Sequence, residues 1–375
     1  MIKNKKPTMV VVSPIIRRDM QSSFQMFKKI KIIHLYKQAS YEDMEKNDFN
    51  ENTLQYFNFF DLLIKIKKTN PDIIQGSEVF WFPFSLIECC ATYLMSRLLK
   101  KPLILPAYEI VFPEKKYGYI LGKLVKLINK IYCNQAKVIF YVSNKAKINY
   151  VNSGVNKNKF IKNLWGLWGV DTKEFIPDIK NKKLTDQKPR ILFVGNLVYR
   201  KGIVYLLESF LQIKKEEKNA KLYIVGKGKM EADIKKFAYE NNLIKDIVLF
   251  GVVKNQNIPK MYHKATISVL PSITMNRTAE QLGMVNIQSL ACGIPIVTTD
   301  CGAITEFIHH NYNGLVVPEK NSLALADACL NLIKNPKLRR RLSVNGRKYV
   351  VTNFDNKKNI QQTENIILDM LAKFL

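Results

Sequence analysis

Short runs of β-branched and aliphatic residues alternate along this chain with longer stretches in which apolar residues recur at helical spacing. The runs predict buried strands, and the stretches between them predict amphipathic helices. The predicted strands are Met9–Ser13, Lys31–Leu35, Asp72–Ile74, Leu103–Leu105 and Val138–Val142, then Arg190–Val194, Ala220–Val225, Ile247–Phe250, Ile267–Leu270 and Ile294–Thr298. Such alternation predicts the α/β class, with two Rossmann-like, doubly wound parallel-sheet domains that face each other across a cleft.

One polar segment separates the two series of strands. Pro177–Pro189 is charged and bracketed by prolines, which is typical of a linker. The sequence therefore predicts an N-terminal domain over residues 1–176, a linker over 177–189 and a C-terminal domain over 190–350. Ligands are expected in the cleft and at the carboxyl ends of the parallel strands.

The chain is strongly basic, with 59 Lys and Arg against 31 Asp and Glu and a net charge of +28. Such an excess suits nucleic acid, an anionic membrane surface or anionic small molecules. It is also what an AT-rich genome, which favours Lys, Ile and Asn codons, produces without any partner. No RNP, zinc-finger or helix-turn-helix pattern is present, so nucleic acid is not an expected partner.

Cysteine usage and hydropathy bear on location. Six cysteines form no CxxC pair, and four histidines complete no obvious zinc pattern, so we expect free thiols and a cytoplasmic protein. Met1–Pro7 lacks the apolar core of a signal peptide. The most apolar stretch, Val79–Met95, is interrupted by Pro83 and Glu88 and predicts no transmembrane helix.

Two glycine-containing turns follow predicted strands of the second domain. In Phe193–Gly202 (FVGNLVYRKG), a strand ends at Gly195 and a helix begins near Gly202, with Arg200 and Lys201 just before it. Close backbone approach, a helix amino terminus and two cations suit a diphosphate, although a tight turn with two solvated bases explains the pattern equally. The second turn, Val225–Lys229 (VGKGK), contains Gly226 and is not a Walker loop.

The most informative motif is Glu280–Val297 (EQLGMVNIQSLACGIPIV). Gly283 precedes a helical run, Gly293 is a natural helix C-cap and Pro295 introduces the next strand. Glu280 stands just ahead of the helix start, where a carboxylate can accept hydrogen bonds from sugar hydroxyls while the helix amino terminus binds phosphate. Helix capping alone does not explain the polar loop 274–281 that precedes this helix.

This motif resembles that of the retaining glycosyltransferases of family 4, which have the two-domain GT-B fold. Several further segments match that family in the same order: Gly195–Gly202, Phe250–Val252, Leu270–Ser272, Gly302 with Glu306, Gly314–Val316, Trp168–Asp171 and Asn345–Phe354. The resemblance covers roughly residues 70–370. It implies that residues 1–176 bind the acceptor, that 190–350 bind the nucleotide sugar, and that a terminal helix over 351–375 crosses back to the first domain.

The resemblance also implies residue roles. Arg200 and Lys201 would neutralise the donor diphosphate, and Glu280 would hold the transferred sugar; these are the expected catalytic residues. Backbone N–H groups at Met284 and Val285 would bind the distal phosphate, and Gln288 would bind the ribose. The remaining expected donor contacts are Gly195, Asn196, Gly226, Gly251, Val252, Pro271, Ser272 and Gly283.

Some positions depart from the family pattern. Gln288 and Asn196 stand where the family usually has Glu and often has Arg. Ser13–Arg17 replaces the usual Gly-Gly loop, and Pro106–Glu109 replaces a His-containing segment. Arg17 and Glu109 are therefore the candidate residues on the acceptor side.

The expected reaction needs neither a metal ion nor another cofactor. Departure of a nucleoside diphosphate builds negative charge on phosphate, which either a metal or fixed cations can stabilise. The sequence contains no D-x-D triplet, and Arg200, Lys201 and the helix after Gly283 fit the second route. Retention, as the family implies, would then proceed by front-side displacement, because no carboxylate nucleophile is evident.

One segment of the first domain suggests the acceptor. Tyr117–Cys133 predicts a basic amphipathic helix with lysines at 123, 126 and 130. Such a helix either lies on an anionic membrane or packs on the sheet with solvated lysines. In the first case the protein would be peripheral to the inner face of the membrane, with a lipid-linked acceptor.

The predicted function is therefore transfer of a hexose-type sugar from a UDP- or GDP-sugar to a glycan or lipid-linked acceptor, in cell-surface polysaccharide or glycoconjugate synthesis. The main alternative is a weak or inactive nucleotide-sugar-binding subunit of a transferase complex. A nucleotide-sugar epimerase and a phosphorylase of the same fold are further alternatives, which the Glu280 motif and the Arg200–Lys201 turn disfavour.

Overall fold

The computed structural model of the protein describes residues 6–39, 49, 51–164, 169–178 and 188–374. Most of the predicted linker, residues 179–187, and Trp168 of the Trp168–Asp171 motif lie outside the described residues. The chain forms two compact units: Met1–Trp168 together with Asn356–Leu375 (unit 1), and Gly169–Asp355 (unit 2).

Unit 1 is built on a seven-stranded sheet in the order β3-β2-β1-β4-β5-β6-β7, in which every pairing is parallel. Its strands are β1 (Thr8–Ile16), β2 (Lys31–Ala39), β3 (Thr53–Gln55), β4 (Ile73–Gln75), β5 (Leu103–Ala107), β6 (Val138–Tyr141) and β7 (Phe160–Lys162). The edge strands β3 and β7 were not predicted. Each has only three residues and none of them is fully buried, so neither shows an apolar run.

Helices cover both faces of this sheet. They are α1 (Arg18–Phe24), α2 (Phe59–Lys68), α3 (Leu86–Leu98), α4 (Pro113–Tyr117), α5 (Tyr119–Gln135) and α6 (Asn144–Val151). Because side chains alternate along a strand, Val10 and Val12 of β1 point into the core beneath α2, α3, α5 and α6. Met9 and Val11 point into a second core on the opposite face.

His34 of β2 is buried in a closed hydrogen-bond network. The Ser13 hydroxyl donates to the Ile15 carbonyl (2.7 Å) and accepts from His34 Nε2 (2.7 Å). His34 Nδ1 accepts from the Gln21 side-chain amide (2.5 Å), which assigns the tautomer from the network. Burial lowers the pKa of His34 from 6.5 to about 3, so this imidazole is neutral in the folded chain.

We expect His34 to make the stability of the protein depend on pH. Its folded pKa lies below its unfolded pKa, so the unfolded chain takes up the proton first as the pH falls. The free energy of unfolding should therefore drop by about 2 kcal/mol from this group between about pH 8 and about pH 5. Urea unfolding of the wild type and of His34→Gln checks this. The difference in the free energy of unfolding between the two proteins should shrink by that amount over this pH range. A difference that does not depend on pH would contradict a lowered pKa for His34.

Unit 2 is built on a six-stranded parallel sheet in the order β10-β9-β8-β11-β12-β13. Its strands are β8 (Arg190–Val194), β9 (Lys221–Val225), β10 (Ile247–Gly251), β11 (Ile267–Leu270), β12 (Ile296–Thr299) and β13 (Leu315–Val317). Its helices are α7 (Ile203–Glu216), α8 (Glu231–Glu240), α9 (Ile258–His263), α10 (Met284–Ala291), α11 (Ser322–Lys334) and α12 (Pro336–Asn353). The predicted α/β class with two parallel-sheet domains is confirmed.

The chain divides between the units at a different point from the predicted one. The N-terminal domain was expected to run to residue 176, but residues 169–178 pack on unit 2. The Val170 N–H donates to the Phe354 carbonyl (2.8 Å), and the Arg347 guanidinium donates to the carbonyls of Thr172 (2.7 Å) and Phe175 (2.6 Å). These bonds hold the segment to α12 before the predicted linker begins.

The last helix, α13 (Asn356–Phe374), belongs to unit 1 and packs on the face opposite α2, α3 and α5. The buried Glu364 carboxylate accepts hydrogen bonds from three consecutive backbone N–H groups, those of Lys28 (2.8 Å), Lys29 (2.6 Å) and Ile30 (3.1 Å). This helix starts five residues later than the predicted 351, because α12 continues to Asn353. Within the described parts of the chain, no helix combines the length and hydropathy needed to cross a membrane.

Candidate functional site

The strand order of unit 2 reverses between β8 and β11. In parallel α/β sheets, ligands bind at the carboxyl ends of the strands at such a point, where the two following loops diverge. The loop after β8 runs from Gly195 into a 3-10 turn, Tyr199–Lys201, just before α7. The loop after β11 begins with Pro271 and Ser272.

These two loops bring together the predicted catalytic residues. Oε1 of Glu280 lies 3.2 Å from Arg200 Nη1, forms an ion pair with Lys201 Nζ and accepts a hydrogen bond from the Ser272 hydroxyl (3.0 Å). The Glu280 and Lys201 side chains are only 11% and 13% exposed, whereas that of Arg200 is 37% exposed. One buried carboxylate is thus shared by two cations at the switch point.

The positive charges of Lys201 and Arg200 keep Glu280 ionised. Burial alone would raise the pKa of Glu280, but the charges of Lys201 and Arg200 and the hydrogen bonds from Lys201 and Ser272 lower it below its usual value. Glu280 is therefore an anion at neutral pH. The two cations around it are oriented and partly desolvated, which makes them ready partners for another anion.

Glycines allow the loops at this edge to approach one another closely. A Cβ on Gly202, whose φ is +71°, would lie 1.8 Å from the Pro271 carbonyl oxygen. A Cβ on Gly226 would lie 2.0 Å from the Gly195 carbonyl oxygen. The Gly195 N–H donates to Val225 O (2.9 Å) and the Gly226 N–H donates to Gly251 O (2.8 Å), so the predicted glycines form one row at the ends of β8, β9 and β10.

The amino end of α10 follows Glu280 by four residues. Gly283 adopts φ +70° ahead of it, and Met284 and Val285 begin the helix, where N–H groups have no intrahelical partner. Tyr262 of α9, fully buried, donates its hydroxyl hydrogen bond to Val285 O (2.9 Å) and lies 3.5 Å from Gln288 Oε1. Tyr262, which was not predicted, therefore holds the α10 backbone at Val285, and Gln288 lies beside the same hydroxyl.

The remaining predicted residues lie apart from this cluster. Asn196 is exposed in the loop after β8, and Val252, also exposed, follows β10. Arg17 and Glu109 belong to unit 1. Glu109 is buried, accepts a hydrogen bond from the Val111 N–H (2.9 Å) and forms an ion pair with Lys116, so its carboxylate is already engaged. The ligand-binding roles of all these residues stay predictions.

Glu78 of unit 1 was not among the candidate residues identified from the sequence. It follows β4, where the order of the unit 1 sheet reverses, and its Oε1 accepts hydrogen bonds from the backbone N–H groups of Tyr108 (2.5 Å) and Glu109 (3.0 Å) and from the Tyr150 hydroxyl (2.6 Å). Burial raises the pKa of Glu78 to about 7 despite these bonds. A single Glu after a three-residue strand gives no sequence signal for this environment.

A second missed contact fixes the loop between β11 and α10. The Glu319 carboxylate accepts hydrogen bonds from the Thr274 N–H (2.5 Å) and the Thr274 hydroxyl (2.5 Å). Glu319 follows β13, which places it at the same carboxyl edge of the sheet as Ser272. Since the strand at Gly314–Val316 was predicted, a polar residue just beyond it was the available signal.

Replacing Glu319 with Gln should release this loop. Both hydrogen bonds to the Glu319 carboxylate are charge-assisted, and a hydrogen bond to a charged group is worth about 1.5–3 kcal/mol. The neutral amide accepts the N–H bond more weakly, and it can keep the hydroxyl bond only if the hydroxyl becomes the acceptor. Amide hydrogen exchange in residues 273–281 should therefore become about 10–100-fold faster. Thr274→Val removes only the hydroxyl bond and should have a smaller effect. Unchanged exchange in the Gln variant would show that Glu319 does not hold the loop.

Comparison with known proteins relates the part of the chain that contains this cluster to one family. Residues 175–349 match the family described as glycosyl transferases group 1. An uncharacterized glycosyltransferase of Methanocaldococcus jannaschii, MJ1607, is 33% identical over 180 residues, which are 48% of this chain and only 43% of that protein. Another from the same organism, MJ1178, is 28% identical over 335 residues, 86% of this chain and 87% of its own length.

Solved structures agree in fold. The crystal structure of Anabaena Alr3699/HepE in complex with UDP superposes with a TM-score of 0.79 at 13% identity, covering 97% of this chain and 100% of that one. At that identity the likeness concerns the fold alone, and it spans both units. The match over 175–349 contains the Arg200–Lys201–Glu280 cluster and the glycine row. Residues 175–349 are therefore similar to the glycosyl transferases group 1 family, and the chain has the GT-B fold.

Proposed function

We propose that this protein transfers a sugar from a nucleoside-diphosphate sugar, UDP- or GDP-linked, to a glycan or lipid-linked acceptor, with retention at the anomeric carbon and without a metal ion. The observation that carries the proposal is the sharing of Glu280 by Arg200 and Lys201 at the switch point of the unit 2 sheet. Such transfer would serve the synthesis of a cell-surface polysaccharide or glycoconjugate.

The cluster fits the charge changes of this reaction. As the bond from the anomeric carbon to the diphosphate breaks, negative charge builds on the leaving phosphate, and Arg200, Lys201 and the first N–H groups of α10 would stabilise it. The acceptor oxygen bonds to the same face of the carbon, and its proton passes to the departing phosphate. Once the diphosphate takes over the two cations, the Glu280 carboxylate would accept hydrogen bonds from the sugar hydroxyls.

Two further points support the donor and the acceptor classes. The Anabaena protein of similar fold binds UDP, which supports a uridine or related nucleotide here. Exposed apolar side chains and lysines on α5, over the predicted segment 117–133, support a peripheral contact with the inner face of the cell membrane and a lipid-linked acceptor. We propose a cytoplasmic location on the same grounds.

Thermal shift with UDP-, GDP- and ADP-sugars, with EDTA present, tests the donor site. A ligand at about 100 times its dissociation constant should raise the free energy of unfolding by about 2.7 kcal/mol. Arg200→Ala/Lys201→Ala should lose that shift for the one nucleotide that produces it. Lys235→Ala/Lys236→Ala, which removes two exposed lysines from α8, should keep it.

Other results would change the proposal. A shift that appears only when a divalent cation replaces EDTA would make the reaction metal-dependent. Binding of a nucleotide sugar without either transfer or donor hydrolysis would support the inactive-subunit alternative. No shift with any of the three nucleotides would contradict the donor site.

A further inference from the structure

The helices on one side of the unit 1 sheet carry apolar side chains on their outer surface as well as on their inner one. On α5, Val125 and Tyr132 are buried against the sheet. Ile120, Leu124, Leu127 and Ile131 are exposed, at 85%, 48%, 54% and 54%. Their spacing of four, three and four residues puts them in one stripe along the helix, opposite the buried side chains.

The neighbouring helices repeat this arrangement. On α3, Ile87, Leu94 and Leu98 are exposed. Leu94 lies about two helical turns after Ile87, and Leu98 lies about one turn after Leu94, so these three side chains also form a stripe. On α2, Phe60 (73% exposed) and Ile64 lie one turn apart. Because α3 packs against both α2 and α5, the three stripes are neighbours.

The turn that leads into α3 adds two aromatic side chains. Trp81 and Phe84 are exposed beside the start of that helix, and the 3-10 turn Val79–Trp81 packs on α5. We call the three helical stripes and these two aromatics the outer apolar surface. Monomeric soluble proteins rarely expose large contiguous apolar patches unless the patch binds something, and here large exposed apolar side chains lie on neighbouring helices.

The opposite side of unit 1 provides an internal comparison. There α13 covers the sheet, and its exposed positions include Lys357, Lys358, Gln361, Gln362 and Asn365. None of its large apolar residues is exposed. The apolar character of α2, α3 and α5 is therefore a property of that one side, and not of the basic, Ile-rich composition of the whole chain.

Charge selects the kind of partner. Helices α2, α3 and α5 contain seven basic residues: Lys65, Lys67, Lys68, Arg97, Lys123, Lys126 and Lys130. Their only two carboxylates are Asp61, which pairs with Lys65, and Glu88, which is buried and bonded to Tyr56. Lysine is depleted from protein–protein interfaces, whereas a rim of lysines around apolar and aromatic side chains suits anionic headgroups over a hydrocarbon layer.

We propose that the outer apolar surface binds the face of an anionic lipid bilayer, with its apolar stripes at the headgroup–acyl boundary and its lysines on the headgroup phosphates. This widens the peripheral contact from one predicted helix to three helices and a turn. It deepens the proposed function, since a lipid-linked acceptor would be presented to the side of unit 1 that binds the bilayer. Membrane binding itself does not require the donor site.

Vesicle sedimentation tests the proposal on the full-length chain. Vesicles made of equal parts phosphatidylcholine and phosphatidylglycerol should bind the wild type, and phosphatidylcholine alone should bind it at least about 10-fold more weakly. Ile120→Gln/Leu124→Gln/Leu127→Gln, which keeps good helix formers, should reduce binding to the anionic vesicles about 10-fold or more. Lys123→Gln/Lys130→Gln should reduce it by a similar factor and weaken its salt dependence.

The matched control removes the same charge from the other side of unit 1. Lys358→Gln/Lys373→Gln on α13 should bind the anionic vesicles within about twofold of wild type. Circular dichroism and the nucleotide thermal shift report whether each variant is folded. They also separate the two proposals, because loss of vesicle binding with an intact nucleotide shift concerns the surface alone.

Three results would overturn the proposal. One is a wild type that does not bind the anionic vesicles. Another is equal loss of binding in the α13 control, which would mean that net charge and not this surface drives it. The third is a chain that is dimeric in solution, does not bind vesicles and becomes monomeric in the Ile120/Leu124/Leu127 variant, in which case a second copy covers the surface.

Discussion

Replacing Glu280 with glutamine is expected to lower sugar transfer by about 100-fold or more while nucleoside diphosphate binding stays equal to that of the wild type or becomes stronger. The reason lies in the shared ion pairs. Arg200 and Lys201 both pair with Glu280 in the structure, so an incoming diphosphate has to compete with that carboxylate for them. Removing its charge removes the competitor, but it also removes the acceptor proposed for the sugar hydroxyls.

Lys201→Ala should give the opposite pattern. It removes a nearly buried cation that the diphosphate is proposed to bind, so nucleotide affinity and transfer should fall together, each by about 10-fold or more. Lys236→Ala, on the exposed side of α8, should change neither. Calorimetric titration with UDP and GDP, beside single-turnover transfer, measures the two quantities separately.

If Glu280→Gln binds the nucleotide more weakly and also loses transfer, Glu280 does not compete with the diphosphate for the two cations. Glu280 would then hold Arg200 and Lys201 in place and not compete for them. A variant that transfers at the wild-type rate would exclude any role for the charge of Glu280. Thermal unfolding of each variant should accompany the kinetics, since breaking a buried ion pair destabilises a fold by about 3–5 kcal/mol.

Gly202→Ala should be the most damaging small substitution at the site. The new methyl group would lie 1.8 Å from the Pro271 carbonyl oxygen, and φ at this position is +71°. The left-handed backbone costs about 1–2 kcal/mol for alanine, and relieving the clash adds about 1–3 kcal/mol. Since the clash is between two backbone segments, the loop that carries Arg200 and Lys201 must move away from the loop that carries Ser272.

Gly251→Ala is the matched control. Gly251 has a similar φ of +65°, but a Cβ there meets no atom within 4 Å. Gly251→Ala should therefore lower the free energy of unfolding only by the cost of the left-handed backbone, about 1–2 kcal/mol. The difference between the two variants in the free energy of unfolding, measured with urea, is the cost of the clash. Equal decreases in the two variants would show that the contact between Gly202 and Pro271 is not tight in solution.

Elements with a strong apolar signal were predictable from the sequence. Strands β1, β4, β5, β6, β8, β9, β11 and β12 are fully or largely buried, so each appears as a β-branched or aliphatic run. The turn at Gly195 and the helix after Gly283 were predictable because glycine, a following helix and polar residues at a strand end occur together. The edge strands β3 and β7 were not, since three half-exposed residues leave no periodic pattern.

Only the parts of the site that are formed by residues close together in the sequence were predictable. Glu280 and the Arg200–Lys201 pair were each marked by their own motif, but their sharing of one carboxylate oxygen is a product of tertiary structure. The same holds for Thr274 with Glu319 and for Tyr262 with Val285, which join distant elements. The outer stripes of α2 and α3 were missed because single-sequence periodicity shows that a helix has an apolar side, and not which side faces solvent.

The return of α13 to unit 1 has a consequence for how the protein is made. Residues 356–374 are synthesised after the rest of unit 1 and after all of unit 2, yet they supply Ile367 and Leu371 to the second core of unit 1. Glu364 of the same helix accepts hydrogen bonds from the backbone N–H groups of residues 28–30. One apolar face of the unit 1 sheet is therefore only partly covered, by α1, until residues 356–374 have been synthesised. Unit 2, whose residues 169–355 are contiguous, can complete its fold before unit 1 does, although most of unit 1 precedes it in the chain.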